Sequence, residues 1–77
     1  MVVTTDKAGQ TVYVTYIPDC EDNAGGFYCE TYADENFDRK IDDFCFHPED
    51  ANMTEEGIKD FIRDYYKEIT LDLNYEF

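Results

Sequence analysis

Three segments of the N-terminal half have the residue pattern of β-strands. Residues 2–5 are β-branched, and residues 11–17 and 27–32 alternate between two faces with a period of two. Turn residues around Gly9 separate the first two segments, which predicts a β-hairpin. Pro18 lacks a backbone donor and is expected to end the second strand.

Residues 34–43 have no clear period, and residues 44–46 form a short apolar segment ahead of His47 and Pro48. The sequence leaves open whether residues 34–46 form a strand or a loop. The answer decides which acidic side chains share a surface, because successive side chains of a strand point to opposite faces.

One amphipathic helix is predicted in the C-terminal half. Its apolar positions recur at intervals of three and four residues, at Ile58, Phe61, Ile62, Tyr65 and Ile69. Asn52 or Thr54 is the predicted N-cap, and the helix is expected to end near Ile69. Glu55 and Glu56 follow in the first turn, where carboxylates complement the helix dipole. Three (i, i+3) ion pairs are predicted on the polar face: Glu56–Lys59, Asp60–Arg63 and Asp64–Lys67.

The last residues again alternate with a period of two, which predicts a half-buried terminal strand. Its apolar positions are Leu71, Leu73, Tyr75 and Phe77. Because strands and helix are segregated in the order β-β-β-(β)-α-β, we expect an α+β fold. It would be a small antiparallel sheet of three to five strands with one amphipathic helix packed on a face. Residues 1–77 are expected to be a single domain, since the chain is too short for a second core.

The chain is strongly acidic, with a formal charge of −13 from 19 acidic and 6 basic residues. Such a surface repels phosphates, so direct binding of nucleic acid is not expected. The hydrophobic content of 43% and the aromatic content of 17% favour a folded domain over a disordered chain. The sequence has neither an apolar segment of about 20 residues nor the features of a signal peptide. No membrane partner is expected, and the expected compartment is the cytoplasm.

No residue pattern in the sequence predicts catalysis. The single histidine, His47, stands outside any motif for a nucleophile, a phosphate loop or a zinc protease. The cysteines are an odd number without a CxxC pair and are expected to be reduced thiols: Cys20, Cys29 and Cys45. The protein is therefore expected not to be an enzyme and to need no cofactor or metal.

Residues 34–45 match part of an EF-hand calcium loop. Oxygen-bearing side chains stand at loop positions one, three, five and nine, which are Asp34, Asn36, Asp38 and Asp42. The loop lacks the glycine at position six, where Arg39 stands, and the closing glutamate at position twelve, where Cys45 stands. A small Ca²⁺-binding module with a degenerate loop is one alternative function.

The acidic residues themselves indicate a protein partner. Eleven of them fall within residues 19–50, where Arg39 and Lys40 are the only basic residues. Four more form an i+4 row on the predicted helix, spaced about 6 Å apart. A rigid row of carboxylates beside acidic loops can imitate the phosphates of a DNA strand. The candidate partner-binding residues are Asp34, Glu35, Asp38, Asp42, Asp43, Glu56, Asp60 and Asp64. The candidate apolar anchors among them are Tyr28, Tyr32, Phe37 and Tyr66.

In its small size, acidity, aromatic content and α+β layout, the chain resembles the DNA-mimic inhibitors of phages and mobile elements. Among these it is most similar to the anti-CRISPR proteins, with antirestriction proteins second. The resemblance implies a stoichiometric inhibitor in the host bacterial cytoplasm. Its partner would be a basic nucleic-acid-binding protein, a CRISPR-Cas effector subunit whose DNA- or PAM-binding site it occupies.

A third alternative is an adaptor that adds a strand to a partner's sheet, using residues 71–77 as the edge. A mimic is expected to lose affinity steeply with salt, whereas an adaptor is not. Reversing Asp38, Asp42 and Asp43 to lysine is expected to abolish inhibition by a mimic whose contact surface is this acidic segment.

Overall fold

A computed structural model of the chain describes residues 1–19, 26–47 and 54–74. Its elements are β1 (Val2–Thr5), β2 (Thr11–Asp19), β3 (Gly26–Tyr32), β4 (Lys40–Phe46) and α1 (Glu55–Lys67). The strands form one antiparallel sheet in the order β1-β2-β3-β4. A four-stranded antiparallel sheet with one helix is an α+β fold, which confirms the predicted class.

Two turns, each built around an aspartate, connect strands at one end of the sheet. In the β1–β2 turn, Oδ1 of Asp6 accepts hydrogen bonds from the backbone N–H groups of Ala8 and Gln10. Gly9 adopts a φ of 81° in this turn, a conformation that glycine reaches without strain. In the β3–β4 turn, the carboxylate of Asp34 accepts hydrogen bonds from the backbone N–H groups of Asp38 and Arg39, four and five residues later.

The prediction that Pro18 ends the second strand is wrong, because β2 continues to Asp19. Pro18 pairs with Phe27 of β3, whereas β1 pairs with β2 only as far as Val14. At Pro18 the strand therefore has a neighbour on one side only, and a missing N–H is tolerated at such an edge position.

The open question over residues 34–46 is resolved in two parts. Residues 34–39 form the β3–β4 turn and residues 40–46 form strand β4. The pairing of β3 with β4 shifts register between Thr31 and Tyr32, so that Thr31 faces Asp42 and Tyr32 faces Lys40. Beyond this irregularity, Asp42 and Asp43 alternate between the two faces of the sheet.

The side chains of one face of the sheet, called the core face here, form a buried cluster with residues of α1. The cluster contains Val2, Val14, Cys29, Phe46, Ile58, Ile62 and Tyr66. On the helix Ile58 and Ile62 of the predicted apolar stripe are buried and Tyr65 is half-buried against the cluster, but the completely buried tyrosine is Tyr66, which was not part of the predicted stripe. Tyr65 instead stacks on Phe44 with 4.1 Å between ring centroids, and Phe61 stacks on Phe46 at 4.2 Å.

The helix begins as predicted at one of its two candidate caps. Thr54 is the N-cap, and its Oγ1 accepts a hydrogen bond from the backbone N–H of Gly57 at 3.2 Å. Asn52 lies outside the described residues. The helix ends at Lys67 with Glu68 as C-cap, two residues before the predicted end.

Residues 71–74 do not form the predicted terminal strand, and Tyr75 and Phe77 lie outside the described residues. The segment instead runs across the two turns. The backbone N–H of Leu71 donates to Asp6 Oδ2 at 2.9 Å, and Arg39 donates to the carbonyl of Leu73 at 2.6 Å. The backbone N–H of Leu71 and the carbonyl of Leu73 thus form their hydrogen bonds with residues of the two turns rather than with a neighbouring strand.

Candidate functional site

The eight candidate partner-binding residues lie in three places and do not form one surface. Three are in the β3–β4 turn, two are in β4 and three are on α1. The surroundings of the three groups differ.

In the β3–β4 turn, Glu35 and Asp38 have exposed side chains, but Asp34 holds the turn together. Both carboxylate oxygens of Asp34 lie within 3.2 Å of the backbone nitrogen of Asp38. Phe37 stands between the acids at a φ of 59° and remains 39% exposed, with its ring edge-on to Tyr32 at 5.0 Å. The turn thus presents two carboxylates and one aromatic ring to solvent.

In β4, Asp43 lies on the face opposite the core, called the open face here, and belongs to a charged network. Its Oδ2 is 3.0 Å from Lys40 Nζ and accepts a hydrogen bond from the Tyr28 hydroxyl at 3.0 Å. Lys40 also pairs with Glu30 at 3.4 Å. The hydrogen bond from Lys40 holds the pKa of Asp43 below its usual value, and the bond from Tyr28 acts in the same direction. This carboxylate is already paired within the molecule.

Asp42, the neighbour of Asp43, lies on the core face. Its Oδ2 accepts a hydrogen bond from the Tyr66 hydroxyl at 3.0 Å, and the same hydroxyl is hydrogen-bonded to Thr31 Oγ1. Burial raises the pKa of Tyr66 strongly, and the nearby carboxylate raises it further. Tyr66 was a candidate exposed anchor, and that prediction is wrong, since its exposure is 0%.

On α1 the side chains of Glu56, Asp60 and Asp64 are exposed. Two of the three predicted ion pairs are confirmed, Asp60–Arg63 at 3.1 Å and Asp64–Lys67 at 3.6 Å. The third is wrong, because Lys59 pairs with Glu55 at 3.5 Å through an (i, i+4) contact instead. Three cations are therefore interleaved with the helix carboxylates, and the row is not a continuous line of unpaired charges.

In the β3–β4 turn and along α1 with its C-cap, four exposed carboxylates have no basic partner among the described residues: Glu35, Asp38, Glu56 and Glu68. Asp60 and Asp64 are also accessible to a partner, although each is in an ion pair. An exposed ion pair contributes little to the stability of the fold, so the carboxylate can exchange its basic neighbour for solvent or for a partner. These six residues, in the turn and on the helix, are called the exposed acidic set here.

The calcium ligands suggested by the loop pattern are not brought to one centre. Asp34 is bonded to its own turn, and Asp42 lies on the core face against Tyr66. Within residues 1–19, 26–47 and 54–74, no three side chains of the metal-ligating types cluster. Cys29 is buried, with its thiol pKa raised to about 12 by burial, whereas Cys45 is exposed. Because Cys45 pairs with Tyr28 in the register, the two thiols point to opposite faces of the sheet.

The apolar side of the open face is a surface that the sequence prediction did not single out. Ile17 is 56% exposed and Val3 is 50% exposed, and Tyr13 lies beside Val3 on the neighbouring strand. The period-two alternation of β2 already placed Tyr13 and Ile17 on one face. Which of the two faces is covered by the helix was not decided by that alternation.

Comparison of the chain with protein-family models, with curated proteins and with solved structures finds no match. Within the described residues, no helix has the length and apolar character required to cross a membrane.

Proposed function

We propose that this protein is a non-enzymatic inhibitor that acts as an acidic DNA mimic. Its partner is a basic nucleic-acid-binding protein of bacterial defence, a CRISPR-Cas effector subunit, whose DNA- or PAM-binding site it occupies in the host cytoplasm. The observation that carries the proposal is the exposed acidic set, in a chain whose formal charge is −13.

Carboxylates fixed on a helix and on a closed turn are suited to this role. A helix repeats every 3.6 residues, so Glu56, Asp60 and Asp64 are held about 6 Å apart along one side. The turn that carries Glu35 and Asp38 is closed by the backbone hydrogen bonds of Asp34. Little conformational entropy is then lost when the carboxylates meet a basic channel.

Three of the candidate acids are left out of the proposed contact set. Asp34, Asp42 and Asp43 each have partners within the molecule, so we assign them to the support of the fold rather than to the contact with the effector. Reversing Asp42 would disturb the core, and a loss of inhibition would then say nothing about the surface. Glu35, Asp38 and Glu56 are the better residues to reverse, because they are exposed and have no basic partner in the described chain.

A plasmid-interference assay tests the proposal. In a bacterium with an active CRISPR-Cas system, expression of the protein should restore transformation by a targeted plasmid at least tenfold. The Glu35→Lys/Asp38→Lys/Glu56→Lys variant should fail to do so, and the matched Glu35→Gln/Asp38→Asn/Glu56→Gln variant should fall between the two. Restoration by the reversed variant equal to that by the original protein would contradict the proposed contact set, and no restoration by any of the three would contradict the function.

A further inference from the structure

The side of α1 that packs against β4 carries an aromatic ring that is only partly covered. Phe61 stacks on Phe46, with 4.2 Å between ring centroids and 16° between the ring planes. Phe61 is nevertheless 38% exposed, so the exposed part of its ring lies away from Phe46. Tyr65 stacks on Phe44 in the same way, and the rings of Phe44 and Phe46 are 6.2 Å apart. Phe61 is thus the most exposed member of a layer of four rings that holds it in place.

The helix residues closest to Phe61 around the helix axis are acidic. At about 100° per residue, Asp64 lies about 60° from Phe61 around the axis, and Glu68, the helical C-cap, lies about 20° from it. The cations of α1 are all about 120° or more away: Lys59, Arg63 and Lys67. Lys67 pairs with Asp64 at 3.6 Å, but both side chains are well exposed, so the pair holds Asp64 only weakly. The exposed ring is therefore bordered by two carboxylates that a cation from outside can reach.

A fixed aromatic ring beside carboxylates is suited to one kind of cation, the guanidinium group of arginine. This group is planar and weakly hydrated, so it stacks on an aromatic ring and donates hydrogen bonds to a carboxylate at the same time. The ammonium group of lysine is more strongly hydrated and does not form paired hydrogen bonds with a carboxylate. A nucleic-acid base also stacks on aromatic rings, but its phosphates are repelled by Asp64 and Glu68. Charge complementarity therefore selects arginine among the groups that stack.

We propose that Phe61, Asp64 and Glu68 form a binding site for an arginine side chain of a basic partner protein. The guanidinium stacks on the exposed part of the Phe61 ring and donates to the carboxylate of Asp64, one turn further along the helix, with Glu68 beside it. Because Phe46 fixes the ring from its other side, little conformational entropy is lost on binding. The inference rests on the proposed function in that the partner is basic. It adds that the partner contacts α1 with arginine rather than lysine, and that an aromatic ring belongs to the contact surface.

Two short peptides of equal charge, tri-arginine and tri-lysine amides, separate this site from general attraction to an acidic protein. In NMR titrations at 50 mM NaCl, tri-arginine should bind about threefold more tightly than tri-lysine, and it should shift the ring resonances of Phe61. Phe61→Leu keeps an apolar side chain but removes the ring, so the preference for tri-arginine should disappear. Tyr13→Leu, which removes a ring from the open face of the sheet, should retain the preference. Equal affinity of the original protein for both peptides would overturn the proposal, as would an unchanged preference in Phe61→Leu.

The ring resonances give a result on the unmodified protein, which does not depend on the folding of a variant. Resonances of Phe61 that stay in place at saturating tri-arginine would overturn the proposal whatever the variants show. The carboxylate is tested by Asp64→Asn, which should weaken the binding of tri-arginine about threefold. Asp72→Asn removes the same charge from an exposed position outside the helix and should weaken binding less. Equal weakening by the two variants would show that the peptide is attracted by the acidic surface as a whole, and this too would overturn the proposal.

The titrations contain no effector, so their outcome and that of the plasmid-interference assay can differ. A preference for tri-arginine that depends on Phe61, together with no restoration of transformation, would support the arginine site and contradict the CRISPR-Cas effector as partner. Restoration of transformation by a protein that does not distinguish the two peptides would support the proposed function and overturn the arginine site.

Discussion

The hydroxyl of Tyr66 in the last turns of α1 donates a hydrogen bond to Oδ2 of Asp42 in β4, at 3.0 Å. The two residues are 24 positions apart in the chain, and Thr31 of β3 is bonded to the same hydroxyl. This contact explains why neighbouring aspartates in β4 have different roles. Asp42 is a partly buried acceptor on the core face, whereas Asp43 pairs with Lys40 on the open face.

Replacing Tyr66 by phenylalanine should destabilise the fold. The substitution keeps the buried ring but leaves the Asp42 carboxylate and the Thr31 hydroxyl without their shared partner, which costs about 1–3 kcal/mol. The loss can be measured by urea unfolding followed by circular dichroism. Tyr65→Phe is the matched control, because the hydroxyl of Tyr65 has no hydrogen-bond partner among the described residues. Equal stability of the two variants would show that the contact between Tyr66 and Asp42 does not stabilise the fold.

We expect the carboxylate of Asp6 to stabilise the junction between the β1–β2 turn and the C-terminal segment. It is 4% exposed, and it accepts hydrogen bonds from the backbone of Leu71, Gln10 and Ala8 and from the Gln10 side chain. Asp6→Asn should lower the stability by about 1–3 kcal/mol at pH 7, because an amide nitrogen cannot accept these bonds. Asp72→Asn, at an exposed position in the same segment, should change stability far less.

The effect of Asp6→Asn should depend on pH. Burial raises the pKa of Asp6, but the four hydrogen bonds outweigh it and hold the pKa below 3.8. A carboxyl whose pKa is lowered by folding contributes fully above its unfolded pKa, and that contribution is lost as the pH falls through the folded value. The difference in Tm between the original protein and the variant should thus be constant from pH 7 to about 5 and shrink below about pH 4. A difference that grew on acidification would contradict this assignment. Acidification also protonates the other carboxylates and so reduces the charge repulsion within the protein. Because this effect is common to both proteins, it cancels in the difference between their Tm values.

The thiols of Cys29 and Cys45 should react at very different rates. Cys29 is completely buried with a pKa of about 12, while Cys45 is exposed. At pH 7.5 and low protein concentration, iodoacetamide should modify Cys45 at least a hundredfold faster, since the thiolate is the reactive form and Cys29 reacts only after unfolding. Peptide mapping by mass spectrometry measures both sites in one sample. Comparable rates for the two thiols would show that the core face is open to solvent.

Local residue patterns were sufficient to predict β1, β3, most of β2 and the start of the helix. They failed for β4 because its polar residues interrupt the apolar alternation. Lys40 pairs with Asp43 in its own strand, but it also pairs with Glu30 of β3, and Asp42 accepts a hydrogen bond from Tyr66 of α1. No local pattern indicates these partners on distant segments. The terminal segment illustrates the opposite error. Leu71 and Leu73 are half-buried and the residues after them are exposed, but this alternation belongs to an extended segment bonded to two turns rather than to a strand.

The sequence was sufficient to predict which acidic residues are candidates, but not which of them are exposed on a common surface. The sequence identified the acidic residues, and their exposure on the helix follows from its period. Whether Asp34, Asp42 and Asp43 face solvent depends on a turn geometry, a bulge and a tertiary hydrogen bond. Tyr65 and Tyr66 are adjacent, and only the packing of α1 against β4 determines which of the two is buried.

The most direct test of the DNA-mimic proposal is competition for the effector. The tagged protein is immobilised and incubated with lysate of a bacterium that carries a CRISPR-Cas system, at 50 and 500 mM NaCl, with and without duplex DNA that contains the target and its PAM. We expect an effector subunit to be retained at 50 mM NaCl and to be displaced both by the duplex and by 500 mM NaCl. Retention of that subunit at both salt concentrations and in the presence of the duplex, or retention of no effector subunit at all, would contradict the proposal.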